Sequence, residues 1–374
     1  MKRFETPTYV TRPYLPPLDE FKQGLEEIWE NQWLTNNGPV LKRFHASLAD
    51  YLGVPETNLS LLTNGTLALE IVFQAMGLAG GEVITTPFTF VATAHAIKRI
   101  GAEPVFADID PQTLCLDPVA AEKMITPRTK AIVPVHVYGH PCDVDAFDRL
   151  GREYGVKIIY DAAHAFGVKV DGKSIACHGD ASMFSFHSTK LFHSIEGGLL
   201  VFKDPNLQQQ VDRLKNFAIL SETECVDVGT NAKMNEFQAL MGEQCLKVID
   251  ELIAHRKAVC EVYRCAFANT SVQFIDRLDP IYGKAVVHNY AYCPVLFGSF
   301  NVRETVYRRL KDFNVFSRRY FYPLLTDFAP YVCGKDVCHV AKEMAARVLT
   351  LPTYHGLDLD DVKAITDNVK EIVG

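Results

Sequence analysis

No stretch of this 374-residue sequence is both long enough and apolar enough to span a bilayer. The opening Met1-Lys2-Arg3-Phe4-Glu5-Thr6-Pro7 lacks the apolar core of a secretion signal. A cytoplasmic protein with no membrane partner is the expectation. Basic clusters are also missing: the 38 Lys and Arg residues are scattered and the formal net charge is -7, which argues against nucleic acid and anionic membranes as partners. A small anionic ligand in a local basic pocket stays open. The 10 cysteines contain no C-x-x-C pair, so free thiols in a reducing compartment are expected rather than a disulfide framework. Cys333, Cys338 and His339 are the nearest approach to a metal pattern, but their spacing is odd and no second pair completes it, so no metal is expected. Internal repeats and low-complexity segments are absent as well.

What is present is the balance of a globular protein, 48% hydrophobic and 22% charged, with room for two domains. From about residue 60 to 203, helical patterns alternate with short β-branched runs at 81–85, 104–109, 131–138, 156–160, 181–186 and 198–202. This predicts βα units around a mostly parallel sheet. A helical pattern begins after Asn235 and leads toward a second, α+β part with a strand over 285–297, a helix over 302–313 and a terminal helix over 358–373. The expected division is a large α/β domain, 1–250, and a small α+β domain, 251–374.

Ligands of such sheets gather at the carboxyl ends of the strands. That rule selects Thr85 to Phe90, Asp161 to His164, and Ser185 to Lys190. A carboxylate at this edge is costly unless it meets a cation such as a protonated pyridine, although Asp161 could equally be a helix N-cap. A desolvated lysine could form an imine with an aldehyde cofactor, yet a lysine after a strand is more often a solvated surface residue. The turn at Asn64-Gly65-Thr66 opens a helical run whose first N–H groups suit a phosphate, or it is an ordinary turn. Phe90 could cover a flat heteroaromatic ring, or simply belong to the core.

The order and spacing of Trp33 to Pro39, Asn64 to Leu69, Pro87 to Thr93, Asp161 to Ala165, Ser185 to Lys190 and Gly229 to Met234 resemble the DegT/DnrJ/EryC1/StrS sugar aminotransferases over nearly the whole chain. The resemblance implies an α/β fold of the pyridoxal-phosphate-dependent transferase type I (aspartate aminotransferase-like) class. It implies pyridoxal 5'-phosphate (PLP) bound through Lys190, which also moves the proton, with Asp161 on the pyridinium nitrogen. The Gly65 and Thr66 amides and the Ser185 hydroxyl would hold the phosphate. Phe90 would stack on the ring and His164 would lie near the ring oxygen. Asn231 would reach the phosphate from a neighbouring subunit, which implies a homodimer with shared sites.

Further implied are an amino transfer from L-glutamate to the 4-keto carbon of a nucleotide-linked 4-keto-6-deoxy sugar, dTDP-4-dehydro-6-deoxy-D-glucose, and a role in surface glycans such as O-antigen. His164 stands where many members carry Gln, and His accompanies amination at C4 more often than at C3. Lys233 replaces the usual Arg. His187 and His193, flanking the lysine, are read as packing or solvent-bonded residues rather than catalytic ones. Lys233, His288, Arg318, Arg319 and Tyr320 are the candidates for the nucleotide sugar, although a surface salt bridge explains either arginine as well. Amination at C3 and a catalytically silent regulatory homologue are the alternatives. A sugar dehydratase is disfavoured because such relatives carry histidine in place of Lys190.

Overall fold

The computed structural model describes residues 2–275, 278–332 and 338–374. Its centre is a seven-stranded sheet of β1 (Leu59–Leu62), β2 (Glu82–Thr85), β3 (Glu103–Phe106), β4 (Thr129–Ile132), β5 (Lys157–Asp161), β6 (Ala181–Ser185) and β7 (Gly198–Phe202). The order is β1-β7-β6-β5-β4-β2-β3, and all neighbours are parallel except at β7, which runs antiparallel to both β1 and β6. Nearly every residue of β1, β2, β6 and β7 is buried, which is why these runs are continuously apolar instead of alternating. One face packs on helices that include α1 (Gly65–Ala75), through Leu69, Val72 and Phe73 against Val83, Ile159 and Leu200. The other face joins a larger apolar cluster holding Phe44, Phe147, Phe166 and Phe184.

Three predicted elements come out differently. The run 131–138 is a strand only to Ile132, and Tyr138 then takes a left-handed φ of 55° in a short turn. The run 285–297 is two strands: Val286–Val287 pairs with Lys169–Val170, while Cys293–Leu296 lies in a separate sheet. Between them Asn289 donates to the carbonyls of His164 and Phe166 at 2.8 and 2.9 Å, a long-range anchor that leaves no period in the sequence. The helical pattern after Asn235 splits at Val248 into Glu236–Lys247 and Ile249–Phe267.

The C-terminal part builds its own core on a three-stranded antiparallel sheet of Gln273–Phe274, Cys293–Leu296 and Val348–Leu351. Val259, Tyr263, Val306, Ile365 and Val369 pack there, joined by Phe4 from the N-terminus. Thr8–Tyr9 pairs in parallel with Val315–Phe316. The thiol expectation needs correction: Cys260 and Cys293 form a disulfide with their Cα atoms 5.9 Å apart. A helix and a strand 33 residues apart in sequence meet there, and no local spacing announces it. Among the described residues no helix is long and apolar enough to cross a membrane, and no cluster of His, Cys, Asp and Glu is arranged to hold a metal ion. Cys338 is buried; Cys333 lies outside the described residues.

Candidate active site

A cavity of about 590 Å³ opens at the carboxyl ends of β5 and β6. Asn64, Gly65, Thr66, Phe90, Asp161, His164, Ser185 and Lys190 share its wall, so the segments selected in the sequence converge.

One end of the cavity is backbone. Asn64 caps α1 by accepting the Leu67 N–H at 2.8 Å, and the first N–H groups of the helix, those of Gly65 and Thr66, precede any intrahelical acceptor. Gly65 sits so close to β6 that a Cβ would lie 3.0 Å from Met183 Sδ and 3.1 Å from Ser185 Cβ. Gly198 on β7 presses from the other side; a Cβ there would be 2.5 Å from the Asn64 carbonyl oxygen. Both glycines are therefore demanded by close approach, and together they seat a helix N-terminus beside the Ser185 hydroxyl. Amides, a helix dipole and a hydroxyl at one corner are groups that could hold a phosphate.

At the floor, Asp161 ends β5 and is buried. Its Oδ2 accepts the Thr93 hydroxyl at 2.7 Å and its Oδ1 accepts the Ala163 N–H at 3.1 Å. Burial pushes the carboxyl above its ordinary range, while those two hydrogen bonds and the Lys190 charge pull the other way. A carboxylate so placed rewards a cation brought against it. Two carbonyl bonds hold its backbone, with Asp161 N donating to Pro134 O at 2.9 Å and His136 N donating to Asp161 O at 3.0 Å.

Lys190 is carried by an excursion between β6 and β7 that folds back on itself. Phe186 N donates to Gly197 O and Ser188 N to Ile195 O, both at 2.8 Å. Phe186 and Phe192 meet edge-to-face at 4.7 Å, and Phe166 stacks on Phe192 at 4.2 Å, so the loop has an aromatic floor. Burial holds the Lys190 ammonium below its ordinary range and the Arg318 guanidinium adds to the effect, against the pull of Tyr320 and Asp161. An amine that sheds its proton more readily is a better nucleophile.

Aromatic residues make up much of the remaining wall. His164 accepts the Tyr138 N–H at Nδ1, 3.1 Å, and packs 4.6 Å from the Tyr292 ring. Phe321 and Tyr138 stack at 6.2 Å. Phe90 is 57% exposed at the N-cap of Val91–Arg99, an apolar ring held at the cavity in water. Of the sugar-end candidates, Arg318 and Tyr320 reach the cavity, joined by a hydrogen bond from the guanidinium to the phenol.

The others lie elsewhere in the chain. Arg319 is bound to Glu304 at 2.9 Å and lies over the Tyr307 ring, which is the salt-bridge alternative. His288 is buried with Nε2 on the Leu278 carbonyl at 2.8 Å. Asn231 is exposed, and Lys233 bonds the Asn216 side chain at 2.8 Å; neither lines the cavity. His187 does line it, bonded to Thr189 Oγ1 at 2.7 Å and facing Glu196 at 3.5 Å, whereas His193 is buried against the Tyr14 carbonyl.

Residues 18–370 match the model of the DegT/DnrJ/EryC1/StrS aminotransferase family. The chain belongs to that family. A relative from Shigella dysenteriae, dTDP-4-amino-4,6-dideoxy-D-glucose transaminase, is 43% identical over 379 residues, covering 98% of this chain and 100% of its own. A relative of the same name from Escherichia coli is 40% identical over 366 residues, with 96% of each chain covered. Among solved structures, DesI in the presence of its TDP-sugar product superposes with a TM-score of 0.92 at 34% identity, covering 100% of this chain and 94% of the other.

Other residues of the site carry no role in the motif reading. Thr93, buried behind Asp161, lies inside the Pro87 to Thr93 motif, and its hydroxyl meets that of Thr89 just before the helix. Tyr292 and Phe321 had no sequence signal, because they come from segments 100 and more residues away whose approach is decided by the Asn289 anchor and the Tyr138 contact.

Proposed function

We propose that this aminotransferase transfers an amino group from L-glutamate to C4 of dTDP-4-dehydro-6-deoxy-D-glucose, with PLP as cofactor and with sites shared across a homodimer. The observation that carries the chemistry is a half-buried lysine and a buried carboxylate on one cavity, with a helix N-terminus at its corner. The sugar, its nucleotide and the position of amination rest on the two transaminases at 43% and 40% identity and on the TDP-sugar product of DesI.

The residues fit PLP on their own chemistry. Gly65, Thr66 and Ser185 would hold the phosphate, Asp161 would face the pyridinium nitrogen, Phe90 and His164 would border the ring, and Lys190 would bond the aldehyde carbon. PLP bound there supplies a carbon that takes up amino groups and a conjugated ring that accepts an electron pair. The protein's part is to orient and to move protons. The Thr93 hydroxyl and the Ala163 N–H bind the Asp161 carboxylate, oppose the upward push of burial and would aim it at a protonated ring nitrogen. A free Lys190 amine would be the base that takes the proton from the donor's α-carbon and hands it to the cofactor carbon it had bonded, and in the second half of the cycle it would move a proton the opposite way, to the sugar carbon.

The exposed Asn231 and the bare apolar residues Trp29, Trp33, Leu34 and Val228 are what a partner subunit could cover. The test is incubation with PLP, L-glutamate and dTDP-4-dehydro-6-deoxy-D-glucose, with the product identified by mass and NMR. A C4-amino sugar with 2-oxoglutarate released is the expected result; a C3-amino sugar or an untouched sugar overturns the substrate assignment.

A further inference from the structure

Arg256 lies outside the cavity wall, buried on the helix Ile249–Phe267. A guanidinium stays charged at neutral pH, and among the described residues no carboxylate pairs with this one. Its Nη1 donates to the Ala291 carbonyl at 2.9 Å, while its Nε is buried without an acceptor. A charge enclosed in this way weighs on the folded state.

The carbonyl it holds is that of the residue before Tyr292. The residue after, Cys293, is tied to the same helix by its disulfide to Cys260. Arg256 and Cys260 are four residues apart and so stand one turn apart on one helix face. Four helical residues rise about 6 Å, close to the span of two residues of near-extended chain, so both attachments can form at once. Between them Tyr292 lines the cavity, its ring 4.6 Å from that of His164 and 5.9 Å from that of Tyr320. Asn289 completes the arrangement: its Oδ1 accepts the Ala291 N–H at 3.1 Å while its amide donates to the His164 and Phe166 carbonyls. The backbone around Tyr292 is thus pinned to His164 on one side and to the helix on the other.

We infer that Arg256 is a positioning residue for the amino transfer and acts through Tyr292: by holding the Ala291 carbonyl it keeps the Tyr292 ring against His164, the residue assigned to the border of the cofactor. The inference rests on the function proposed above.

The test is a double-mutant cycle on PLP-loaded protein, with Arg256→Met, Tyr292→Ala and the pair. Methionine removes the charge together with its donors, so no bare charge is left behind. Losing the charged hydrogen bond should slow the single-turnover reaction with L-glutamate about tenfold in Arg256→Met, and by less than about twofold when residue 292 is already alanine. Arg256→Lys keeps a donor for the carbonyl and should stay within about threefold of wild type. Hydrogen exchange gives a readout independent of turnover: the amides of 289–293 should exchange about tenfold faster in Arg256→Met, with those of β5 and β6 unchanged. Arg256→Gln serves for the same cycle if the methionine variant does not fold. A rate loss of equal size in both backgrounds overturns the inference, as does exchange that quickens in the sheet as much as at 289–293, or a wild-type rate in Arg256→Met. If the wild type itself leaves L-glutamate unreacted, the proposed function falls and this inference with it.

Discussion

The Thr93 hydroxyl donates to Asp161 Oδ2 at 2.7 Å from the first turn of the helix that follows the Phe90 corner. This bond joins the start of a helix to the end of β5 and sets the direction in which the carboxylate points. It supports a prediction about how the two residues divide their work. Asp161→Ala should cut PLP affinity and turnover together, the rate by at least about 100-fold, because the cation it faces loses its counter-charge. Thr93→Val should reproduce a smaller loss, about tenfold, by freeing the carboxylate to turn. Equal activity in Thr93→Val and wild type would remove the bond from the mechanism; titration of the cofactor absorbance reads affinity directly.

Lys190→Ala should leave the fold intact and lower turnover by about 10⁴-fold or more, the scale expected when a covalent and acid–base group is lost. The cofactor absorbance should then resemble that of free PLP, since the amine that bonds it is gone. A spectrum unchanged from wild type would disprove the attachment.

In cofactor-free protein the same lysine should cost stability. Its folded pKa lies below its ordinary value because of burial, so the folded state binds fewer protons than the unfolded chain between those two values. Stability then rises with pH across that window, and the cost is greatest below it. Lys190→Met should raise the melting temperature at pH 7, by about 1–3 °C, with the gain shrinking as the pH climbs toward the ordinary lysine value. Melts at a series of pH values decide it, and a gain that grew with pH would show the sign to be wrong.

Gly198→Ala places a Cβ 2.5 Å from the Asn64 carbonyl oxygen and 2.6 Å from its carbon, atoms of the backbone that cannot rotate aside. The start of α1 must move. We expect a loss of about 1–3 kcal/mol in unfolding experiments, the usual range for overpacking. PLP affinity should fall beyond what the destabilisation explains, because the displaced amides are those assigned to the phosphate.

Shared sites make a sharper forecast. If Asn231 serves the neighbouring subunit, Lys190→Ala and Asn231→Ala are each defective alone, yet unfolding and refolding them together should restore activity. The mixed dimer then contains one site with both residues intact. No recovery in the mixture would place Asn231 outside the site or the protein outside the dimeric state.

The sheet and its ligand edge were legible in the sequence because buried parallel strands are apolar runs, and runs survive in one dimension. So were the residues that stand on those strand ends: Asp161, Ser185, Lys190 and the Gly65-Thr66 turn are local features whose spacing to a strand is short and rigid. The family followed from their order.

Tertiary structure alone decided the rest. Arg318 and Arg319 are neighbours of one chemical type, and sequence offers no reason to separate them; the fold turns one to the cavity and gives the other Glu304. His288 looked equally available until the Leu278 carbonyl and its burial were in view. The Cys260–Cys293 bond, the split of 285–297 by Asn289, and the approach of Tyr292 and Phe321 all join segments far apart in the chain. Such contacts are set by how layers pack and loops close, and a side chain's neighbours across space leave no period in the sequence from which to read them.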